Sequence, residues 1–187
     1  PNYIVQAMAT PNDTHYAVQW HYQNMKLEQA WDITTGTPAQ GDDVIVAVID
    51  TGVFLAHEDL QGQLISGYDF ISTPSMSNDG DGIDANPDDP GDSTENGKSS
   101  WHGTHVAGTV ASRTDNNLGL AGVSWGAKIM PLRVLGVEGG TSNDIIQSVR
   151  YAAGLSNDSG TIPAKRADII NLSLGGGSFL QSAQEAY

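Results

Sequence analysis

The chain has 187 residues, the size of one domain, and its 22 acidic against 8 basic residues give a formal charge of −14. That balance argues against nucleic acid or an anionic membrane as a partner, and the absence of cysteine excludes disulfides, a thiol nucleophile and a Cys-based zinc site. No apolar run reaches the roughly 18 residues a membrane span needs, and no signal-peptide pattern opens the chain, which reads as a mature or trimmed product.

Taken in chain order, the pattern predicts a short helix over residues 27–31 and a buried parallel strand over 44–49 that delivers Asp50 to its carboxyl end. Chemistry in open α/β sheets gathers at that edge. A loop over 72–100, rich in Asp, Gly, Pro and Ser, is expected to lack regular structure. A helix then opens at His102, and its small residues Ala107, Gly108 and Ala111 suit tight packing on a sheet. A strand over 129–135, a helix over 143–154, a strand over 168–172 and a last helix over 179–187 follow. Ile145, Ile146, Val149 and Ala153 recur at helical spacing and read as packing, while Ser142 reads as the helix cap with Asp144 in the first turn. The alternation implies a parallel α/β sheet.

Three stretches carry chemistry: Asp50-Thr51-Gly52-Val53, His102-Gly103-Thr104-His105-Val106-Ala107-Gly108, and Ile169-Ile170-Asn171-Leu172-Ser173-Leu174-Gly175-Gly176-Gly177. In that order they resemble the subtilisin-like serine proteases, the subtilases. Thr10-Pro11-Asn12-Asp13 and Thr114-Asp115-Asn116-Asn117 resemble the thermitase-like branch. The resemblance implies a three-layer fold, a mostly parallel sheet with helices on both faces. Residues 9–187 would form its amino-terminal half, and residues 1–8 resemble the tail of a propeptide.

The activity implied is that of a secreted serine endopeptidase acting on polypeptides, with Asp50 and His102 as two members of a Ser-His-Asp triad. The family's nucleophile motif, Gly-Thr-Ser-Met-Ala, and its oxyanion-hole asparagine are not in this chain. Gly140-Thr141-Ser142 imitates the former but precedes a helix, and Ser173 belongs to the substrate strand. The expected arrangement is therefore a nicked enzyme whose carboxyl-terminal fragment, carrying the serine, stays bound. An inactive subtilase fragment or scaffold is the alternative. Substrate contact in the family resembles strand addition, which implies roles for Leu135, Gly139, Gly140 and Thr141 on one edge and for Leu172, Ser173, Leu174 and Gly175 on the other. Leu135 and Leu174 suggest apolar subsites, and Gly139-Gly140 also reads as an ordinary turn.

Two places suit calcium, a hard cation that takes oxygen ligands from irregular loops. By resemblance, the first comprises Asp13, Asp59, the Asn116 side chain and the carbonyls of Arg113, Leu118 and Leu120. The second is read from acidic density: Asp79, Asp81, Ile83 and Asp84, with Asp69 upstream and Asp88, Asp89 and Asp92 behind. Carboxylates so crowded repel unless a cation gathers them. The plain alternative is a solvated acidic loop, and a calcium-binding adhesive module built on it is a third functional reading. His15, His21, His57 and His105 lack motif context, and His105 reads as a buried structural residue.

Overall fold

The computed structural model describes residues 10–38, 42–95 and 98–176, so the readings of residues 1–8 and of a helix over 179–187 lie outside the described residues. The elements in chain order are α1 (Trp20–Met25), α2 (Leu27–Trp31), β1 (Ile45–Asp50), β2 (Tyr68–Asp69), α3 (Pro74–Ser77), α4 (His102–Ala111), β3 (Lys128–Arg133), α5 (Ser142–Ala152) and β4 (Ile169–Leu172). Three of them, α1, β2 and α3, have no counterpart in the sequence reading. The first is cut from α2 by Lys26, whose left-handed backbone (φ 58) interrupts the helical run. A single helical turn, α3, starts at Pro74, where a missing N–H costs nothing, and it corrects the expectation that residues 72–100 lack regular structure.

The sheet is parallel throughout, in the order β2-β3-β1-β4, with Asp50 in register with Arg133. All six residues of β1 are buried, which is why its sequence is a continuous apolar run rather than an alternating one. Its side chains nevertheless divide by the two-residue period of a strand. Ile45, Ala47 and Ile49 join Met130, Leu132 and the α5 residues Val149 and Ala152 in one core cluster. Val46 and Val48 join Ile129 and the α4 residues Ala107 and Ala111 in the other. Each of these larger buried side chains contributes about 1.5–3 kcal/mol. The sheet thus has helices on both faces, and the three-layer α/β architecture is as expected.

A third cluster fastens the amino-terminal segment. Tyr22 and Trp31 pack with Ala121, the Tyr22 hydroxyl donates to the Ala121 carbonyl at 2.7 Å, and Trp31 Nε1 donates to the Val123 carbonyl at 2.8 Å.

Candidate active site

Strand β1 ends at Asp50 and helix α4 begins at His102, and the two meet at the carboxyl edge of the sheet. Asp50 is fully buried, and its Oδ1 accepts from the Thr51 amide at 2.7 Å and lies 2.7 Å from His102 Nδ1. An ionised carboxylate only accepts, so Nδ1 is the donor and Nε2 is left free to take a proton. The histidine side chain is 47% exposed, which leaves that second nitrogen reachable. Glycine is obligatory where the elements touch. A Cβ on Gly103 would stand 2.1 Å from the Gly52 carbonyl, and Gly52 itself has φ +91.

His102 opens onto a cleft of about 630 Å³ that is also lined by Leu135, Gly139, Gly140, Ser173, Leu174 and Gly175. Six of the eight expected substrate contacts are therefore gathered beside it. The other two are not. Leu172 packs against the core, and Thr141 caps α5, its hydroxyl accepting from the Asp144 amide at 3.1 Å. Thr141 thus takes the capping role expected of Ser142, which lies inside the first turn. Gly136 and Gly139 bridge each other across a tight turn with Glu138 at φ 69 and Gly139 at φ +103. The turn is centred on Val137 and Glu138 and closed by Gly139, so the reading of Gly139-Gly140 as the turn falls slightly late, and Glu138, Gly139 and Gly140 face the cleft. Thr51, Asp92 and Ser100 line the cleft too, although sequence reasoning passed over Thr51 and Ser100.

The acidic segment is organised by a residue that the sequence reading did not single out. Arg133, fully buried at the end of β3, donates to Asp69, to Asp79 at 2.7 Å and to the Ser77 carbonyl. Burial pushes the Asp69 carboxyl up to about 7, against the pull of the Arg133 charge. The cation expected at Asp69 and Asp79 is therefore part of the chain. The remaining members of that expected group have separate tasks. Ile83 packs on the core, Asp84 exchanges backbone hydrogen bonds with Asp69, Asp81 is exposed and gives its carbonyl to Ser77, and Asp92 accepts from Ser100. With Asp69 and Asp79 turned to Arg133 and the other members engaged separately, the second group is held together without a calcium ion. The signal was an arginine in the otherwise apolar run 129–135, because a buried guanidinium demands acidic partners.

The first group is built differently. Asp59 accepts from Asn116 Nδ2 at 2.9 Å and the Leu120 amide at 3.0 Å, and its carbonyl accepts from the Arg113 amide at 2.8 Å. Asp13 Oδ2 accepts from the Asp115 amide at 2.8 Å, while Asp13 Oδ1 is buried with no hydrogen-bond partner. Asp115, Asn117 and Gly119 all have positive φ, and Leu118 donates its amide to Asn116 Oδ1 at 2.8 Å. Asp13 and Asp59 are thus drawn to one loop, and the unpartnered Asp13 oxygen fits the role of a cation ligand.

His105 corrects the sequence reading. It is exposed, because α4 buries Gly103, Thr104, Ala107 and Ala111 and so turns His105 the other way. With His15, His57, Phe54 and Trp101 it lines a separate cavity of about 580 Å³.

Comparison with known proteins agrees with this geometry. The Subtilase family profile (Peptidase_S8) matches residues 41–187. An extracellular protease of Xanthomonas campestris pv. campestris is 43% identical over 187 residues, covering 93% of this chain and 31% of that protein. Thermitase of Thermoactinomyces vulgaris is 36% identical over 169 residues, covering 89% of this chain and 48% of that protein. A solved structure of a protease from Pseudoalteromonas arctica superposes with a TM-score of 0.86 at 45% identity, covering 95% of this chain and 55% of that one. The chain thus spans about a third to a half of the curated relatives it matches. With the profile covering most of its length, the chain belongs to the subtilase family.

Proposed function

We propose that this chain supplies the aspartate and histidine of a secreted Ser-His-Asp endopeptidase, together with much of its substrate cleft. The observation that carries the reading is the 2.7 Å contact between His102 Nδ1 and the buried Asp50 carboxylate at the mouth of that cleft. His102 takes the proton of a serine hydroxyl as it attacks the scissile carbonyl, then returns it to the leaving amine. Asp50 fixes the tautomer and stabilises the imidazolium. The serine and the oxyanion donor come from polypeptide outside this chain, as the greater length of the relatives supports. Residues 9–187 are then the amino-terminal portion of the catalytic domain, residues 1–8 the end of a propeptide, and a carboxyl-terminal fragment the bound companion. Secretion is supported by relatives named extracellular proteases.

Peptides bind by strand addition along the backbone of 139–140 and that of 173–175, and Leu135 and Leu174 shape apolar subsites. Calcium, held by Asp13, Asp59, Asn116 and the carbonyls of Arg113, Leu118 and Leu120, would tie residues 12–15 to the loop after α4. It supplies stability, not chemistry.

The test is a fluorophosphonate probe applied to the native protein, with every polypeptide and any labelled serine identified by mass spectrometry. A labelled serine on polypeptide joined to or associated with this chain is expected. Unlabelled but folded protein, with that polypeptide present, would favour the inactive scaffold instead.

A further inference from the structure

Helix α4 has no cap of its own. Its N-cap residue, Trp101, is left-handed (φ 55) with no side-chain hydrogen bond to the helix, and the first turn holds no acidic residue. Free N–H groups at a helix start need acceptors and favour negative charge. Both are supplied from elsewhere in the chain. The Thr51 hydroxyl accepts from the Gly103 amide at 3.0 Å, and the Ser99 hydroxyl accepts from the Trp101 amide at 2.9 Å.

A hydroxyl has one proton, and both hydroxyls direct it to the same oxygen. Thr51 Oγ1 lies 3.2 Å and Ser99 Oγ 2.7 Å from Asp89 Oδ2, while Asp89 Oδ1 accepts from the Gly91 amide at 2.9 Å. Asp89 is 4% exposed, so these bonds are made out of water. The residues joined are informative: Thr51 follows Asp50 in the chain, and Gly103 follows His102. The arrangement is repeated nearer the surface, where Ser100 accepts from the His102 amide at 3.3 Å and is held by Asp92. The segment behind them is strapped to the same edge, the Val53 amide donating to the Pro87 carbonyl at 3.1 Å and the Leu55 amide to Asp88 at 3.0 Å.

We propose that Asp89 is a positioning residue: by orienting the Thr51 and Ser99 hydroxyls it caps α4 from outside and holds His102 in register with Asp50. This rests on the functional reading above. A neutral amide at position 89 keeps the shape but offers one oxygen in place of two. If that oxygen faces the Gly91 amide, both hydroxyls lose their acceptor, and if it faces the hydroxyls, the amide nitrogen opposes the Gly91 N–H; in either case the helix start is less firmly held. Displacement of a reacting group by about 1 Å can cost on the order of 100-fold in rate.

The test uses the full-length protein that carries this chain, as wild type, Asp89→Asn, Thr51→Val and the double variant. Two readouts are taken: kcat and KM on a chromogenic peptide, and the low-field proton resonance of His102 Nδ1–H without substrate. Asp89→Asn is expected to lower kcat on the order of 10- to 100-fold with KM nearly unchanged, and to shift or broaden the resonance. The double variant should be little worse than the worse single one, because both act through one hydrogen bond. Wild-type kcat and an unchanged resonance in Asp89→Asn would overturn the proposal, as would fully additive losses. Should Asp89→Asn fail to fold, Thr51→Val decides alone by the same two readouts. A wild type without turnover would sink the protease reading instead, and the resonance would still judge Asp89.

Discussion

Two groups of carboxylates in this protein look alike in composition and are surrounded in opposite ways. Asp69 and Asp79 face the guanidinium of Arg133, a cation built into β3. Asp13 and Asp59 face backbone amides and one side-chain amide, and Asp13 keeps a buried oxygen without a partner. The first group is satisfied from within the chain. The second, on the function proposed above, answers to an ion from solution. Acidic density therefore says that a cation is needed without saying where it comes from.

The comparison is broken most directly by removing the internal cation. At pH 8 Arg133→Met leaves the buried Asp69 carboxylate without its cation and beside the more exposed Asp79, and breaking a buried pair from one side costs about 3–5 kcal/mol. Adding Asp69→Asn should recover part of that loss by deleting the stranded charge. Urea unfolding of the three proteins measures both effects, and a loss under about 1 kcal/mol for Arg133→Met would mean the pair contributes little. Asp69 also sets a pH dependence. Its carboxyl is raised to about 7 in the folded chain, so between about pH 4 and 7 the folded state holds a proton that the unfolded state has released. The stability this contributes is full at the acid end and lost as pH rises through about 7. Wild type should therefore lose ground to Asp69→Asn over that window, and a constant difference between them would contradict the raised carboxyl.

Ion removal probes the other group. If calcium at about 100 times its dissociation constant occupies the Asp13 and Asp59 site, chelation should withdraw about 2.7 kcal/mol. Asp13→Asn should abolish most of that response, whereas Asp79→Asn should leave it intact. Thermal unfolding with and without chelator gives the answer. Equal sensitivity in both variants would erase the distinction between the groups.

Legibility in the sequence followed the same divide between local and distant causes. Strand β1 and helix α4 were readable because an apolar run and a string of small residues record packing at short range. Asp50 and His102 were readable because the glycines that let their elements touch, Gly52 and Gly103, stand within two positions of them and complete their motifs. The partners of Arg133 were not, being 64 and 54 positions away. The charge itself was visible in its apolar strand, and only the search for its acids was missing. Thr141 and Ser142 are both capping types, so their order depends on where the first turn closes, which composition does not record. His105 needed the helical phase: once Ala107 and Ala111 face the sheet, a residue two positions before Ala107 faces away.

The smallest change tests whether the loop or the charge defines the proposed ion site. Gly119 has φ +52, and a Cβ there would stand 2.3 Å from Asp59 Oδ2. Gly119→Ala alters no charge, yet it strains the backbone and pushes that carboxylate oxygen away from the Leu120 amide. A cost of about 1–3 kcal/mol is expected from strain alone. If the loop's geometry makes the site, calcium should then recover little of the loss, because the ligand that moved is one it needs. Titrating calcium into Gly119→Ala during thermal unfolding separates the two causes. Full recovery at saturating calcium would mean that the carboxylates bind without the loop's help, and the contrast with the rigid Arg133 group would rest on charge alone.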